Sequence, residues 1–222
     1  MTIHEHEPCK HWCPGDRERV LQVAQGGLFI WDFDGVIVDS EPLQRETYRI
    51  MLEMRDISVE ADFFDTLIGL REVQIWEKIR SWADNLETST PDLIQERREL
   101  FLRMAMSRLK PSWLSKDLIP VLNDYASEQF IISNGDPSTI ASLLSSCGLS
   151  EYIYLRQFTE QYPTKSDLLR AVLSQSNRIV IAEDNREYLM QGKDGGSFCV
   201  AVHHGMNEST PLFGDVHVRI GG

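Results

Sequence analysis

Short, continuous apolar runs, each followed by polar residues, recur along the chain. They read LFIWDF from Leu28, EQFIISN from Glu128, NRIVIAED from Asn177, SFCVAVHH from Ser197 and DVHVRI from Asp215. Runs of this length are typical of parallel strands that are covered on both faces. Helical segments alternate with the later runs, among them PSTIASLLSSCGL, which Gly148 is expected to end, and TKSDLLRAVLSQS. The alternation predicts an α/β fold built on a doubly wound parallel sheet.

The segment between the first two runs contains no convincing strand. Its residue pattern is typical of helices, as in LQRETYRIMLEM, REVQIWEKIRSWADN and PDLIQERRELFLRMAMSRLK. Thr90 is expected to cap the last of these helices, with Pro91 at its first position, and Pro111 to end the block. We therefore predict a helical insertion at residues 43–111, a sheet domain formed by 27–42 and 112–222, and a polar lead-in at 1–26.

Composition narrows the classes of partner. The 222-residue chain has a formal net charge of -12, so it offers no basic surface for a nucleic acid. No apolar run approaches the roughly 20 residues that cross a bilayer, and the N-terminus has no apolar core of a secretory signal. We therefore expect a soluble, cytoplasmic protein that binds neither nucleic acid nor membrane, as a monomer or homodimer.

Four cysteines in a chain of this size do not indicate a disulfide framework. Cys147 and Cys199 stand in apolar contexts and are expected to be small core residues. The other two lie in a histidine-containing cluster at the N-terminus, which consists of His4, His6, Cys9, His11 and Cys13. Such residues could bind zinc in principle, but their spacing matches no compact zinc site.

Acidic and hydroxyl side chains stand where three of the predicted strands end. They are Asp32 and Asp34 after the first run, Ser133 and Asn134 after the second, and Glu183 and Asp184 after the third. One such residue alone is often only a helix cap or a turn residue. Carboxyl ends of parallel strands share one crevice, so the three pairs are expected to meet there. Their mutual repulsion predicts a hard divalent cation, most simply Mg²⁺.

The motifs at these strand ends resemble those of the haloacid dehalogenase superfamily, in its phosphatase and phosphomutase branch. DFDGVIVDSEP is similar to the first motif, FIISNG to the second and IVIAEDN to the fourth, while Lys165 in YPTKSDLL matches the third. All four occur in the family's order. The resemblance covers nearly the whole chain except about the first 25 residues. It implies a Rossmann-like core with an inserted all-helical cap that closes over the site.

The resemblance also implies roles for these residues. Asp32 would be the nucleophile and Asp34 the general acid and base. Mg²⁺ would be bound by Asp32, Glu183, Asp184 and Asp34, the last through its backbone carbonyl.

Other residues would hold the phosphoryl group or shape the loop. Ser133, Asn134 and Lys165 would hold the phosphoryl oxygens. Gly35 would allow the turn of the first motif. Asp39, the third aspartate of that motif, is expected to brace the loop by hydrogen bonding rather than to take part in catalysis.

The chain departs from the family pattern in three places. The third motif commonly reads K-P-x-P-[DE], whereas Lys165 is followed by Ser166 and Asp167. The fourth motif continues as EDNREY, with Asn185 and Tyr188 in place of small residues, and Tyr188 either crowds the loop or begins the next helix. Gln44 stands where β-phosphoglucomutases carry a histidine.

Two cap positions are candidate substrate contacts. These are Gln44 and Arg71, the second in a loop around Gly69 that resembles the family's specificity loop. The guanidinium of Arg71 suits an anionic or polyhydroxy leaving group, but it could equally be a surface arginine.

Together these features predict Mg²⁺-dependent hydrolysis of a small phosphate monoester through an aspartyl-phosphate intermediate. The substrate would be a small phosphorylated metabolite, such as a sugar phosphate or a phosphoglycolate-like ester. Two alternatives stay open: a sugar phosphomutase of the β-phosphoglucomutase type, and a binding protein that has lost catalysis.

Overall fold

The computed structural model describes residues 11–67, 70, 72–83, 86–207 and 210–221. The chain divides into two compact units. The sheet unit comprises Met1–Asp39 and Leu109–Gly222, and the helical unit comprises Ser40–Arg108. No helix within the described ranges combines the length and the apolar composition needed to cross a membrane.

The sheet unit is built on a parallel sheet. Its strands are β1 (Leu28–Trp31), β2 (Glu128–Ile131), β3 (Tyr154–Leu155), β4 (Ile179–Glu183), β5 (Phe198–His203) and β6 (Val216–Arg219). Their order is β3-β2-β1-β4-β5-β6, and every neighbouring pair is parallel. The doubly wound α/β fold is thereby confirmed. The strand order reverses at β1, so the carboxyl end of β1 lies at the point where such folds bind ligands.

Eight α-helices belong to the described part of the chain. They are α1 (Asp16–Ala24), α2 (Glu41–Glu53), α3 (Glu72–Arg80), α4 (Thr90–Arg108), α5 (Trp113–Tyr125), α6 (Pro137–Ser146), α7 (Lys165–Leu173) and α8 (Arg186–Asp194). α6 ends as predicted, since Gly148 has a φ of +68° and the N–H of Leu149 donates to the carbonyl of Leu144. A side-chain cap starts the same helix, because Asp136 accepts from the N–H of Thr139 at 2.9 Å.

The helical unit contains α2, α3 and α4 together with a 3-10 helix, Ala61–Leu67. Its core includes Met51, Trp76 and Leu93. The expected cap of α4 is wrong by one residue. Ser89 accepts from the N–H of Asp92 at 3.3 Å, and Thr90 is already helical. A serine hydroxyl caps as well as a threonine hydroxyl, so the sequence allowed either start.

Part of the predicted lead-in is ordered on the sheet unit. α1 buries Val20, Leu21 and Ala24, and the indole N–H of Trp12 donates to Asp117 on α5 at 2.8 Å. This helix was missed because three small or medium apolar side chains are easily lost in a polar sequence. Within the histidine and cysteine cluster, His4, His6 and Cys9 lie outside the described residues. Cys13 is disulfide-bonded, whereas Cys147 and Cys199 are free.

The chain leaves the sheet unit and returns to it at adjacent points. Val38 and Pro111 form an antiparallel bridge. The N–H of Ser112 donates to the carbonyl of Ile37 at 2.7 Å, and its hydroxyl donates to the carbonyl of Val36 at 2.7 Å. We call this set of contacts the neck. It holds the two ends of the insertion side by side.

Candidate active site

A buried lysine bridges two carboxylates at the carboxyl ends of β1 and β4. The Nζ atom of Lys165 lies 2.9 Å from Oδ2 of Asp32 and 2.8 Å from Oε2 of Glu183. Lys165 is 3% exposed and Glu183 is 2% exposed. The register of β1 and β4 pairs Trp31 with Ala182, so the two acids that follow must be neighbours. Three residues far apart in sequence therefore form one charged cluster.

The N-terminal cap of α7 places the lysine. Thr164 accepts from the N–H of Asp167 at 3.1 Å, and its hydroxyl donates to the Asp167 carboxylate at 2.6 Å. α7 consequently begins at Lys165. Asp167, one of the two residues that follow the lysine, therefore takes part in capping the helix that carries it.

The charges of the cluster perturb one another. Burial raises the pKa of Glu183 well above its ordinary value, and the neighbouring Asp32 raises it further. Burial alone would lower the pKa of Lys165, but the carboxylates of Asp32 and Glu183 outweigh it and raise that pKa. The ammonium group is therefore charged at neutral pH, and it neutralises only part of the surrounding negative charge.

Asp184 brings a third carboxylate to the cluster. Asp32, Glu183 and Asp184 each offer an oxygen atom, and these atoms lie within 4.8 Å of one another. Three carboxylates facing one lysine leave a net negative charge, and carboxylate oxygens are the ligands that Mg²⁺ prefers. The residues present therefore fit a magnesium ion. The Asp34 side chain is not in this group, and the predicted role of its backbone carbonyl stays a prediction.

The loop after β1 packs directly on Asp184. Gly35 has a φ of +73°, and a Cβ atom there would lie 2.5 Å from Oδ2 of Asp184. Its N–H donates to the carbonyl of Val38 at 2.8 Å, which closes the turn. The predicted need for glycine thus has two causes: the left-handed backbone and the close approach of Asp184.

Asp34 points toward the end of β2. Its Oδ2 atom would lie 3.2 Å from a Cβ atom built on Gly135, so the carboxylate lies close to the backbone after Ser133 and Asn134. Ser133 is 5% exposed and its Oγ accepts from the N–H of Gly135 at 3.2 Å. A hydroxyl that accepts this bond still has its proton to donate.

Tyr188 connects two of the predicted phosphate-binding residues. Nδ2 of Asn134 donates to the Tyr188 hydroxyl at 3.1 Å, and Nζ of Lys165 lies 4.4 Å from the centroid of the tyrosine ring. Tyr188 belongs to α8, which Asn185 caps by accepting from the N–H of Glu187 at 2.9 Å. Asn185 and Tyr188 therefore both have a structural role, since the first caps α8 and the second contacts Asn134 and Lys165.

Four further positions were singled out from the sequence: Gln44, Gly69, Arg71 and Asp39. Arg71 and Gly69 fall outside the described residues. Gln44 belongs to the helical unit, where its Oε1 accepts from Nη1 of the buried Arg97 at 2.6 Å. The expectation for Asp39 is not met at Oδ1, which is buried and has no hydrogen-bond partner in the described ranges. Backbone bonds and the neck brace this loop instead.

Two residues after β5 were missed by the sequence analysis. His204 and Asn207 both contact Asp184, through its carboxylate and its carbonyl oxygen respectively. The signal was present, because SFCVAVHH was recognised as a strand and His204 follows its end. The topology that brings the ends of β1, β2 and β4 together also places the end of β5 at the same edge of the sheet.

Comparison with known proteins identifies a matching family. A family model for haloacid dehalogenase-like hydrolases matches residues 29–202. A search of curated proteins found no match.

Solved structures share the fold at low sequence identity. CbbY from Rhodobacter sphaeroides in complex with xylulose-1,5-bisphosphate is 14% identical with a TM-score of 0.70, over 88% of this chain and 93% of that one. YfnB from Bacillus subtilis, a HAD-hydrolase bound to magnesium, is 15% identical with a TM-score of 0.66, over 88% and 95%. A HAD hydrolase of family IA, variant 3, from Entamoeba histolytica is 18% identical with a TM-score of 0.64, over 87% and 92%.

Proposed function

Since this chain belongs to the haloacid dehalogenase-like hydrolases, we propose that it is a Mg²⁺-dependent phosphatase that hydrolyses a small phosphate monoester. One observation carries the proposal. Lys165 bridges Asp32 and Glu183 at hydrogen-bonding distance, and Asp184 completes a group of three carboxylates. This arrangement supports the proposal because it brings a carboxylate that could act as a nucleophile, a cation that could bind phosphate and a set of oxygen ligands to one point of the sheet.

Asp32 is the proposed nucleophile. Its Oδ1 atom accepts from the N–H of Phe33 at 2.7 Å, which fixes the rotation of the carboxylate. An oxygen of Asp32 attacks phosphorus, the bond from phosphorus to the ester oxygen breaks, and an aspartyl-phosphate forms. When bound at the three carboxylates, Mg²⁺ supplies positive charge that offsets the repulsion between the carboxylate and the phosphate.

Asp34 is the proposed proton carrier. It gives a proton to the departing alkoxide oxygen in the first step. In the second step it takes a proton from the water that attacks the aspartyl-phosphate, which releases inorganic phosphate and restores Asp32. The position of its carboxylate beside Gly135, away from the three-carboxylate group, suits this role.

Lys165, Ser133 and Asn134 are the proposed phosphate-binding residues. The raised pKa of Lys165, which its two carboxylate neighbours cause against the effect of burial, keeps the ammonium charged for this task. The Ser133 hydroxyl supplies a further donor. Because the chain carries a net charge of -12, local donors of this kind must supply the attraction for an anionic substrate.

Phosphate release tests the proposal. The purified chain is incubated with sugar phosphates, phosphoglycolate and nucleoside monophosphates, with Mg²⁺ or with a chelator, and inorganic phosphate is measured. We expect Mg²⁺-dependent release from at least one ester, and its loss in Asp32→Asn. Asp124→Asn, the same change at an exposed position of α5, serves as the matched control.

Three results would contradict the proposal. Full activity of Asp32→Asn would exclude the nucleophile. Isomerisation of a sugar phosphate with little phosphate release, activated by a bisphosphate, would indicate a phosphomutase. An absence of Mg²⁺ binding at millimolar concentration would favour a protein that binds ligands without catalysis.

A further inference from the structure

We propose that His204 and Asn207 are positioning residues that hold Asp184 in the orientation needed to bind the divalent cation. The two residues, called the β5 clamp below, follow directly after β5. The inference rests on the proposed function, because that function assigns Asp184 to the cation site.

His204 fixes the Asp184 side chain. Its Nε2 atom lies 2.8 Å from Oδ2 of Asp184, and the residue is 2% exposed. The N–H of Met206 donates to Nδ1 of His204 at 3.3 Å, so Nδ1 acts as the acceptor of the ring. In a neutral imidazole the proton then resides on Nε2 and is donated to the carboxylate. The backbone of the loop thereby selects the tautomer that Asp184 requires.

Asn207 fixes the Asp184 backbone and the histidine together. Its Oδ1 accepts from the N–H of His204 at 2.9 Å. Its Nδ2 donates to the carbonyl of Asp184 at 3.1 Å and to the carbonyl of Val202 at 3.0 Å. An inverted amide would set its amino group against an N–H donor, so this network defines the orientation of the amide. Asn207 consequently ties the end of β5 to the end of β4.

The loop after β1 packs against Asp184 on the side opposite the β5 clamp. A Cβ atom on Gly35 would lie 2.5 Å from Oδ2 of Asp184 and 2.9 Å from Nε2 of His204. The pair therefore lies directly beneath the turn that follows the proposed nucleophile. Hydrogen bonds on one side and backbone on the other leave the carboxylate little freedom to rotate.

Restraint of the Asp184 carboxylate should increase the affinity of the site for a divalent cation. A carboxylate that is already oriented loses less conformational freedom when it binds a metal. Partners that hydrogen-bond to metal ligands typically contribute about 10- to 100-fold to metal affinity or activity. A histidine that only filled space in the core would affect stability but would give no such selective effect.

Three variants at position 204 separate positioning from packing. His204→Gln can place its amide nitrogen near the position of Nε2 and still donate to Asp184. His204→Asn can accept from the N–H of Met206 but is too short to reach Asp184. His204→Leu preserves bulk and makes neither bond. Asn and Gln are both polar amides, so their comparison remains available if the leucine variant does not fold.

Magnesium binding without substrate is the measurement. Mg²⁺ alone is titrated into each full-length variant by isothermal calorimetry at near-neutral pH, and hydrogen exchange in β4 and β5 checks the fold. We expect Kd for Mg²⁺ to rise about 10- to 100-fold in His204→Asn and His204→Leu, and His204→Gln to stay within about 3-fold of the wild type. Wild-type affinity in a folded His204→Asn variant would overturn the inference. So would equal weakening in folded His204→Gln and His204→Asn.

Asp184→Asn in the same titration separates this inference from the function on which it rests. If the wild type binds Mg²⁺, Asp184→Asn does not, and the position-204 variants are unchanged, the β5 clamp is refuted and the cation site stands. If the wild type does not bind Mg²⁺, the proposed function and the inference both fail.

Discussion

Replacing Lys165 with methionine retains most of the side-chain volume but removes the ammonium group between two acids. That group lies 2.9 Å from Asp32 and 2.8 Å from Glu183, and Lys165 itself is 3% exposed. In the variant the two carboxylates would face each other in the buried cluster without this cation.

The expected loss of stability follows from these distances. At an effective dielectric constant of about 20, unit charges this close attract by about 6 kcal/mol per pair. The cost of burying the charges offsets most of that attraction, and breaking a buried pair typically costs about 3–5 kcal/mol. We therefore expect Lys165→Met to lower the free energy of unfolding of the sheet unit by about 3–5 kcal/mol at neutral pH.

The pH dependence provides a second prediction from the same change. Burial and Asp32 already raise the pKa of Glu183, and removal of Lys165 takes away the charge that opposes this shift. An acid whose pKa is higher in the folded state favours folding at low pH, and its contribution is lost as the pH rises through the folded pKa. The variant should therefore be least impaired under acidic conditions. Glu183→Gln in the Lys165→Met background should recover part of the lost stability at neutral pH.

Hydrogen exchange of the backbone amides in β1 and β4, without divalent cations, is a suitable assay. It reports on the sheet unit even if the helical unit unfolds separately. A loss below about 1 kcal/mol, the scale of an exposed pair, would refute the reasoning. A double variant no more stable than Lys165→Met would also refute it, because repulsion between the acids would then not be the cause.

Three further outcomes are expected. Gly35→Ala sets a Cβ atom 2.5 Å from Asp184 and forces a φ of +73° on alanine, so we expect a loss of about 2 kcal/mol in urea unfolding together with weaker Mg²⁺ binding; unchanged values for both would contradict this account. Tyr188→Phe retains the aromatic ring next to Lys165 but removes the hydroxyl that accepts from Asn134. KM for a phosphate ester should therefore rise about 2- to 10-fold with kcat little changed. Steady-state kinetics on the best substrate measure both constants, and an unchanged KM would contradict this prediction. Burial, with neighbouring histidine and arginine side chains, lowers the pKa of His203 to about 4 from an ordinary value of 6.5, so the folded state loses stability as the pH falls through this interval. In urea unfolding over the same interval, His203→Gln should lose on the order of 2 kcal/mol less stability than the wild type, after allowance for screening by solvent. Identical pH profiles of the two proteins would show that His203 is not responsible.

The strands were predictable where burial makes the sequence uniform. β1, β4 and β5 are covered on both faces, and their apolar runs show this directly. β3 has only two residues, Tyr154 and Leu155, and the first of them is exposed. A strand of two residues is too short to produce a periodic pattern, although the side chain of Tyr154 contacts Glu128 and Phe130 of β2 in the folded chain.

The site was predictable in its charged residues and not in their partners. Asp32, Lys165, Glu183 and Asp184 stand at strand or helix ends, which topology alone brings together. The contacts of Asp184 with the residues after β5 depend on a loop conformation that no local pattern specifies. The end of β5 indicates that His204 lies at this edge of the sheet, but its hydrogen bond to Asp184, 20 residues away in sequence, depends on how the two loops fold.

The neck has a consequence for how this protein can be altered. Because Val38 bridges to Pro111 and Ser112 bonds back to Val36 and Ile37, the sheet unit sets the distance between the two junctions without help from the insertion. The entropic cost of closing a flexible segment between fixed points grows only slowly with its length. The position between Asp39 and Leu109 is therefore a permissive insertion site. A different domain or a short turn can replace the present segment there while β1 and β2 keep their pairing.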